Sequence, residues 1–145
     1  PATQIGAGSF GCLVDGELFI PKKFGINRLS TYYQYIDGKY NMVIGGSKND
    51  NIDMNIQGLK IDPLEVREYD IVSEENGKFN ASYILILTDD RFVAKTSANN
   101  PGKLTISNFD SVNFIISGTF EFTVLDNNGK EIKITDGRFD VHYTN

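Results

Sequence analysis

The sequence predicts an all-β protein: a single antiparallel, meander-rich β-sandwich or β-barrel of about ten strands. Three observations lead there. Apolar residues recur with a period of two rather than 3.6. Asp-Gly and Asn-Gly pairs punctuate the alternating runs where hairpins turn. No stretch of any length carries the apolar stripe of an amphipathic helix. At 145 residues, the chain has the length of one domain. A domain of that size buries enough surface to hold a core without a metal or a disulfide.

The elements follow in order. Phe10–Val14 and Glu17–Ile20 flank Asp15-Gly16 and form the first hairpin, and Tyr32–Ile36 and Lys39–Ile44 flank Asp37-Gly38 and form the second. Tyr40, Met42 and Ile44 share one face of their strand. Gly45–Asn51, rich in Gly, Ser, Asn and Asp, is expected to be a loop. Ile52, Met54 and Ile56 alternate with Asp53 and Asn55. The run Asp62–Glu68 fits either one helical turn, with Asp62 as N-cap and Pro63 in the first helical position, or a strand with Leu64 and Val66 on one face. Phe79, Ala81, Tyr83, Leu85 and Leu87 make an apolar face while Ile84 and Ile86 fill the other, the pattern of a central strand covered on both sides. Ser97–Gly102 reads as a loop. Val112–Val124 has apolar even positions and mostly polar odd ones, as one long strand or two joined at Gly118, with one face buried and one wet. Asn128-Gly129 marks the last tight turn. Beyond it the apolar parity switches from even (Ile132, Ile134) to odd (Phe139, Val141, Tyr143), which an extra residue at Gly137 would produce as a bulge or short bend.

Composition removes several function classes. Fourteen basic residues stand against 19 acidic ones, a net charge of −5, which argues against nucleic acid or an anionic lipid surface as partner. One cysteine excludes an internal disulfide, and one cysteine with one histidine cannot build a standard structural zinc site. No apolar run approaches the roughly 20 residues of a membrane helix. No cofactor is expected.

Reactive side chains are better explained by structure than by chemistry. Cys12 lies on the apolar face of Phe10/Cys12/Val14, where its thiol would be inert, and His142 falls on the opposite face from Val141 and Tyr143. Glu121 is the best general-acid candidate, but it projects with Thr119 and Thr123 toward solvent. Asp89-Asp90 suits a turn. Asp126–Glu131 begins like a calcium loop but places Lys130 at a ligand position, so a hairpin turn explains it better. A weak calcium site at Asn49–Asp53 remains an alternative to a plain loop. Tyr32, Tyr33, Tyr35 and Tyr40 are the candidate ligand-binding residues, since tyrosine rings offer flat amphipathic contact. Cross-strand packing is the competing explanation.

Two segments carry a family resemblance. Gly8–Pro21, with its Phe-Gly-Cys-Leu-Val-Asp-Gly hairpin, opens the domain; Ile116–Thr123, with Gly118-Thr119-Phe120-Glu121-Phe122, and Ile132–Val141, with Ile134-Thr135-Asp136-Gly137-Arg138-Phe139-Asp140-Val141, close it. Together they resemble small uncharacterised lipoproteins of Bacteroidota. The resemblance implies attachment to the cell envelope by a lipid anchor upstream of Pro1, on the periplasmic or outer-membrane surface. It also implies that a signal peptide and a lipidated cysteine preceded Pro1 and were removed. Residues 1–8 are then a linker and 9–145 the domain. The function expected is a monomeric, non-enzymatic binding or accessory module, its partner a surface protein or a glycan. The alternatives are a lipocalin-like carrier of a small apolar ligand in the barrel interior and a glycan-active hydrolase.

Overall fold

The computed structural model describes residues 4–21, 29–48, 51–86 and 90–145. They form eleven strands and no helix: β1 (Ser9–Val14), β2 (Glu17–Phe19), β3 (Ser30–Ile36), β4 (Lys39–Lys48), β5 (Ile52–Ile61), β6 (Glu68–Val72), β7 (Lys78–Ile86), β8 (Arg91–Lys95), β9 (Gly102–Asp110), β10 (Ile115–Leu125) and β11 (Glu131–His142). The sheet runs β2-β1-β11-β10-β9-β6-β7-β5-β4-β3, with β8 also on β7. It is not closed into a barrel. Its β3 edge is instead tied to the end of the chain, where Tyr33 N–H donates to the Thr144 carbonyl (2.9 Å) and Thr144 N–H to the Thr31 carbonyl (3.1 Å).

Period-two patterning places the core. Met42 and Ile44 of β4, Met54 and Ile56 of β5, Leu104 and Ile106 of β9, and Ile116 of β10 are essentially without exposed surface. They belong to one apolar cluster, which Phe10, Cys12, Phe79, Phe120, Phe122 and Phe139 complete. The Cys12 sulfur lies 3.6 Å from that of Met54, so β1 meets β5 across the interior. Two halves of one sheet thus pack face to face, a sandwich by layers.

The first two hairpin turns are as expected. Asp15 and Gly16 have φ 48° and 84°, and Asp37 and Gly38 have φ 52° and 86°; positive φ at both central residues is the two-residue turn that matches strand twist. The parity switch in β11 is a bulge. Asp136 takes φ 50°, and pairing with β10 jumps from Phe120 opposite Gly137 to Phe122 opposite Ile134. A Cβ on Gly137 would lie 2.5 Å from the Phe120 ring. β7 is central, with β5 on one edge and β6 and β8 on the other; Leu87 lies outside the described residues.

Other expectations are corrected. The sheet is mixed, because β6 runs parallel to β7, with Ile71 opposite Phe79 and Val72 opposite Asn80. Gly45 and Gly46 do not open a loop but continue β4 to Lys48. Glycine is needed there for close approach: a Cβ on Gly45 would sit 2.5 Å from the Met54 carbonyl oxygen, and one on Gly46 2.7 Å from Pro21 Cβ. Asp62–Glu65 is neither helix nor strand; the Leu64 N–H donates to the Tyr33 hydroxyl (2.8 Å) and anchors this stretch. Val112 and Phe114 belong to a turn, Val112 81% exposed, because the Asp110 carboxylate accepts the N–H groups of Val112 and Asn113 (both 2.9 Å). The odd face of β10 is not wet throughout, since Ile115 and Ser117 are buried. Asn128-Gly129 sits in a longer loop, residues 126–130, where only Gly129 has positive φ and Asp126 Oδ1 accepts from the N–H groups of Asn128 (2.8 Å) and Lys130 (2.9 Å).

Asp140 is a buried charge, 1% exposed. Its carboxylate accepts from the N–H groups of Ile5 (3.1 Å), Gly6 (2.7 Å) and Ala7 (3.1 Å) and from the Ser117 hydroxyl (2.7 Å). Gly6 and Gly8, at φ 72° and 73°, let successive N–H groups converge on one anion. The segment ahead of β1 is thereby docked on β11.

Candidate functional site

Tyr33, Tyr35 and Tyr40 meet on one face, and Tyr32 lies apart from them because neighbours along a strand face opposite sides. Tyr33 is a core residue. Its ring stacks on Tyr40 (4.5 Å, 5°) and meets Phe109 (5.2 Å) and Tyr143 (5.5 Å) edge-on. Tyr35, 67% exposed, stands edge-on to half-buried Tyr40 at 5.2 Å. Tyr32 is on the other face of β3, opposite Val43.

Cys12 and His142 are on different sides of the sheet, the thiol in the core and the imidazole exposed beside Gly6. Burial pushes the Cys12 thiol from 9.0 up to about 12, and burial likewise pushes the Tyr33 phenol from 10.0 up to about 12. Both groups stay neutral in the folded chain where the unfolded chain would ionise. Their contribution to stability is therefore complete below pH 9.0 and lost as pH climbs toward about 12. The urea midpoint is expected to fall across that window, and less steeply in Cys12→Val. A midpoint flat across it would refute the assignment.

Glu121 is exposed. It lines an open cleft of about 450 Å³ with Glu68, Asp136, Lys103 and Arg138. Lys103 bridges Glu68 (3.2 Å) and Asp70 (2.6 Å). Asn49 and Asp50 lie outside the described residues, and Asp53 accepts the Ser47 hydroxyl.

The outer face of β3-β4-β5-β7-β8 holds what the sequence reading missed. Register aligns Tyr32, Val43, Gln57 and Asn80 in one row across four strands. Asn55, Ser82 and Lys95 form the next row. Two grooves lie over this face, of about 320 Å³ around Tyr32, Gln34 and Asn41 and of about 450 Å³ around Asn55, Asn80 and Ser82. Gln57 lines both. Asn80 is 4% exposed, and its Nδ2 has no hydrogen-bond partner. An unmet buried donor costs on the order of 1–3 kcal/mol. The amides at the polar positions of β5 and β7 were legible in the sequence; their meeting depends on a register that one sequence does not state.

A family model described as Domain of unknown function (DUF6252) matches residues 25–141. The chain belongs to this family. Within this DUF6252 domain the match takes in β3 through β10 and all of β11 but His142. Both amide-lined grooves therefore lie inside the DUF6252 match, whereas the β1–β2 hairpin lies outside it. No curated protein and no solved structure matches the chain.

Proposed function

We propose that this chain is a non-catalytic binding or accessory module of the bacterial cell envelope, held by a lipid anchor upstream of Pro1. The observation that carries the reading is the outer face of β3-β4-β5-β7-β8, where Gln57 joins two grooves and the buried Nδ2 of Asn80 has no hydrogen-bond partner. A strand face spends amides this way at some cost in stability, and recognition of a ligand is what offsets it. The resemblance of Gly8–Pro21, Ile116–Thr123 and Ile132–Val141 to Bacteroidota lipoproteins supports the location. The buried, neutral Cys12 thiol and the large side chains that fill the interior favour a surface function over nucleophilic catalysis or an internal carrier site.

Labelled chain is expected to co-sediment with washed envelopes of a Bacteroidota bacterium. Gln57→Ala/Ser82→Ala, melting as the parent does, is expected to sediment far less. Equal sedimentation of the two would refute this face as the recognition surface. In detergent phase partition, the full-length gene product is expected in the detergent phase; recovery in the aqueous phase would rule out the anchor.

A further inference from the structure

We infer that the ligand of the outer face is an uncharged oligosaccharide, laid across the strands from Tyr32 to Asn80. The inference rests on the binding-module reading and specifies its ligand class. Tyr32, Val43, Gln57 and Asn80 follow one another across β3, β4, β5 and β7, three interstrand spacings or roughly 14 Å. That length suits an oligomer better than a single sugar ring.

The groups match hydroxyls. A carboxamide presents a donor and an acceptor side by side, and a sugar hydroxyl both donates and accepts. Gln57 and Asn55 line the grooves with such amides, with Ser82 beside them. Asn80 forms part of the second groove, and its Nδ2 has no partner, so a hydroxyl oxygen would supply the missing acceptor. Tyr32, half-buried in the first groove, offers a ring on which the flat aliphatic face of a hexose can stack.

Other ligand classes fit less well. An extended peptide pairs with an open sheet edge; these residues lie on a sheet face, β4, β5 and β7 are paired on both sides, and the outer edge of β3 already bonds Thr144 at Thr31 and Tyr33. Nucleic acid needs several basic groups to neutralise phosphates; here Lys95 is held by Glu74 at 3.1 Å, Lys60 and Arg91 are the other basic residues of the two grooves, and the chain carries −5. A small apolar ligand needs an apolar pocket; Ile36, Val43 and Leu59 give the first groove apolar surface, but the second is lined by Asn55, Gln57, Asn80 and Ser82 with Glu74, Arg91 and Lys95, so such a ligand would leave half of the row unused.

The test is a titration of the isotope-labelled chain with cellohexaose, mannohexaose and xylohexaose, following the side-chain NH₂ resonances of Gln57 and Asn80. At least one hexasaccharide is expected to shift both. Asn80→Ala, Gln57→Ala and Tyr32→Ala are each expected to weaken it about tenfold, while Tyr35→Ala, outside the grooves, leaves it unchanged. Should Asn80→Ala melt early, the partly exposed Gln57 and Tyr32 carry the comparison. If none of the three sugars moves these resonances, the saccharide assignment is wrong. If a Ser/Asn-rich nonapeptide moves them instead, the assignment fails while the binding-module reading stands.

Discussion

Asp140→Ala is expected to destabilise the chain by about 3 kcal/mol, a fall in melting temperature of roughly 6–12 °C for a domain of this length. The carboxylate is almost wholly buried and accepts from three consecutive backbone N–H groups and the Ser117 hydroxyl. Alanine leaves all four donors without it. The Ile5–Ala7 amides can recover water if their segment lifts from β11, which caps the loss. Ser117, with no exposed surface, has no such escape. Ser117→Ala removes a single donor and should cost about 1 kcal/mol. Hydrogen exchange separates local from global effects: in Asp140→Ala the amides of Ile5, Gly6 and Ala7 should lose protection first. An unchanged melting curve together with unchanged protection would show that the carboxylate does not hold this segment.

Legibility in the sequence followed the range of the interaction. Asp15-Gly16 and Asp37-Gly38 were readable because their φ angles are set by the pair itself. The β11 bulge was readable because parity counts residues along one strand, and Gly137 marks the slip. Gly45-Gly46 misled because glycine serves two purposes. In a loop it relaxes φ; in β4 it clears space for Met54 and Pro21, and that need arises from residues distant in the chain. Phe114 misled for the same reason in reverse. It continues the even alternation of β10, but the Asp110 carboxylate pulls the preceding residues into a turn and Phe114 adopts φ 58°. The candidate site suffered most. Tyrosine clustering along the chain joined Tyr32 to Tyr33, Tyr35 and Tyr40, which pack on the opposite face with Tyr33 in the core. The outer groove is assembled instead from β3, β4, β5 and β7, whose mutual register appears only in three dimensions.

Phe120→Ala bears on the interior itself. Phe120 is 3% exposed, and its ring contacts those of Phe10 (5.2 Å), Phe122 (6.1 Å) and Phe139 (6.3 Å). Truncation removes the ring from the middle of that group and from above Gly137, where no Cβ exists to fill the gap. A loss of about 3–5 kcal/mol is expected, enough to lower the melting temperature by roughly 6–20 °C. The void would be apolar, and apolar voids of that kind stay dry and accept small hydrophobic molecules. Benzene should therefore raise the melting temperature of Phe120→Ala, because binding only the folded state shifts unfolding. The parent chain, whose phenylalanines already occupy that space, should melt at the same temperature with or without benzene. A parent chain stabilised by benzene as strongly as the variant would mean that the interior itself takes apolar ligands. The carrier alternative would then displace the outer face as the place to look for function.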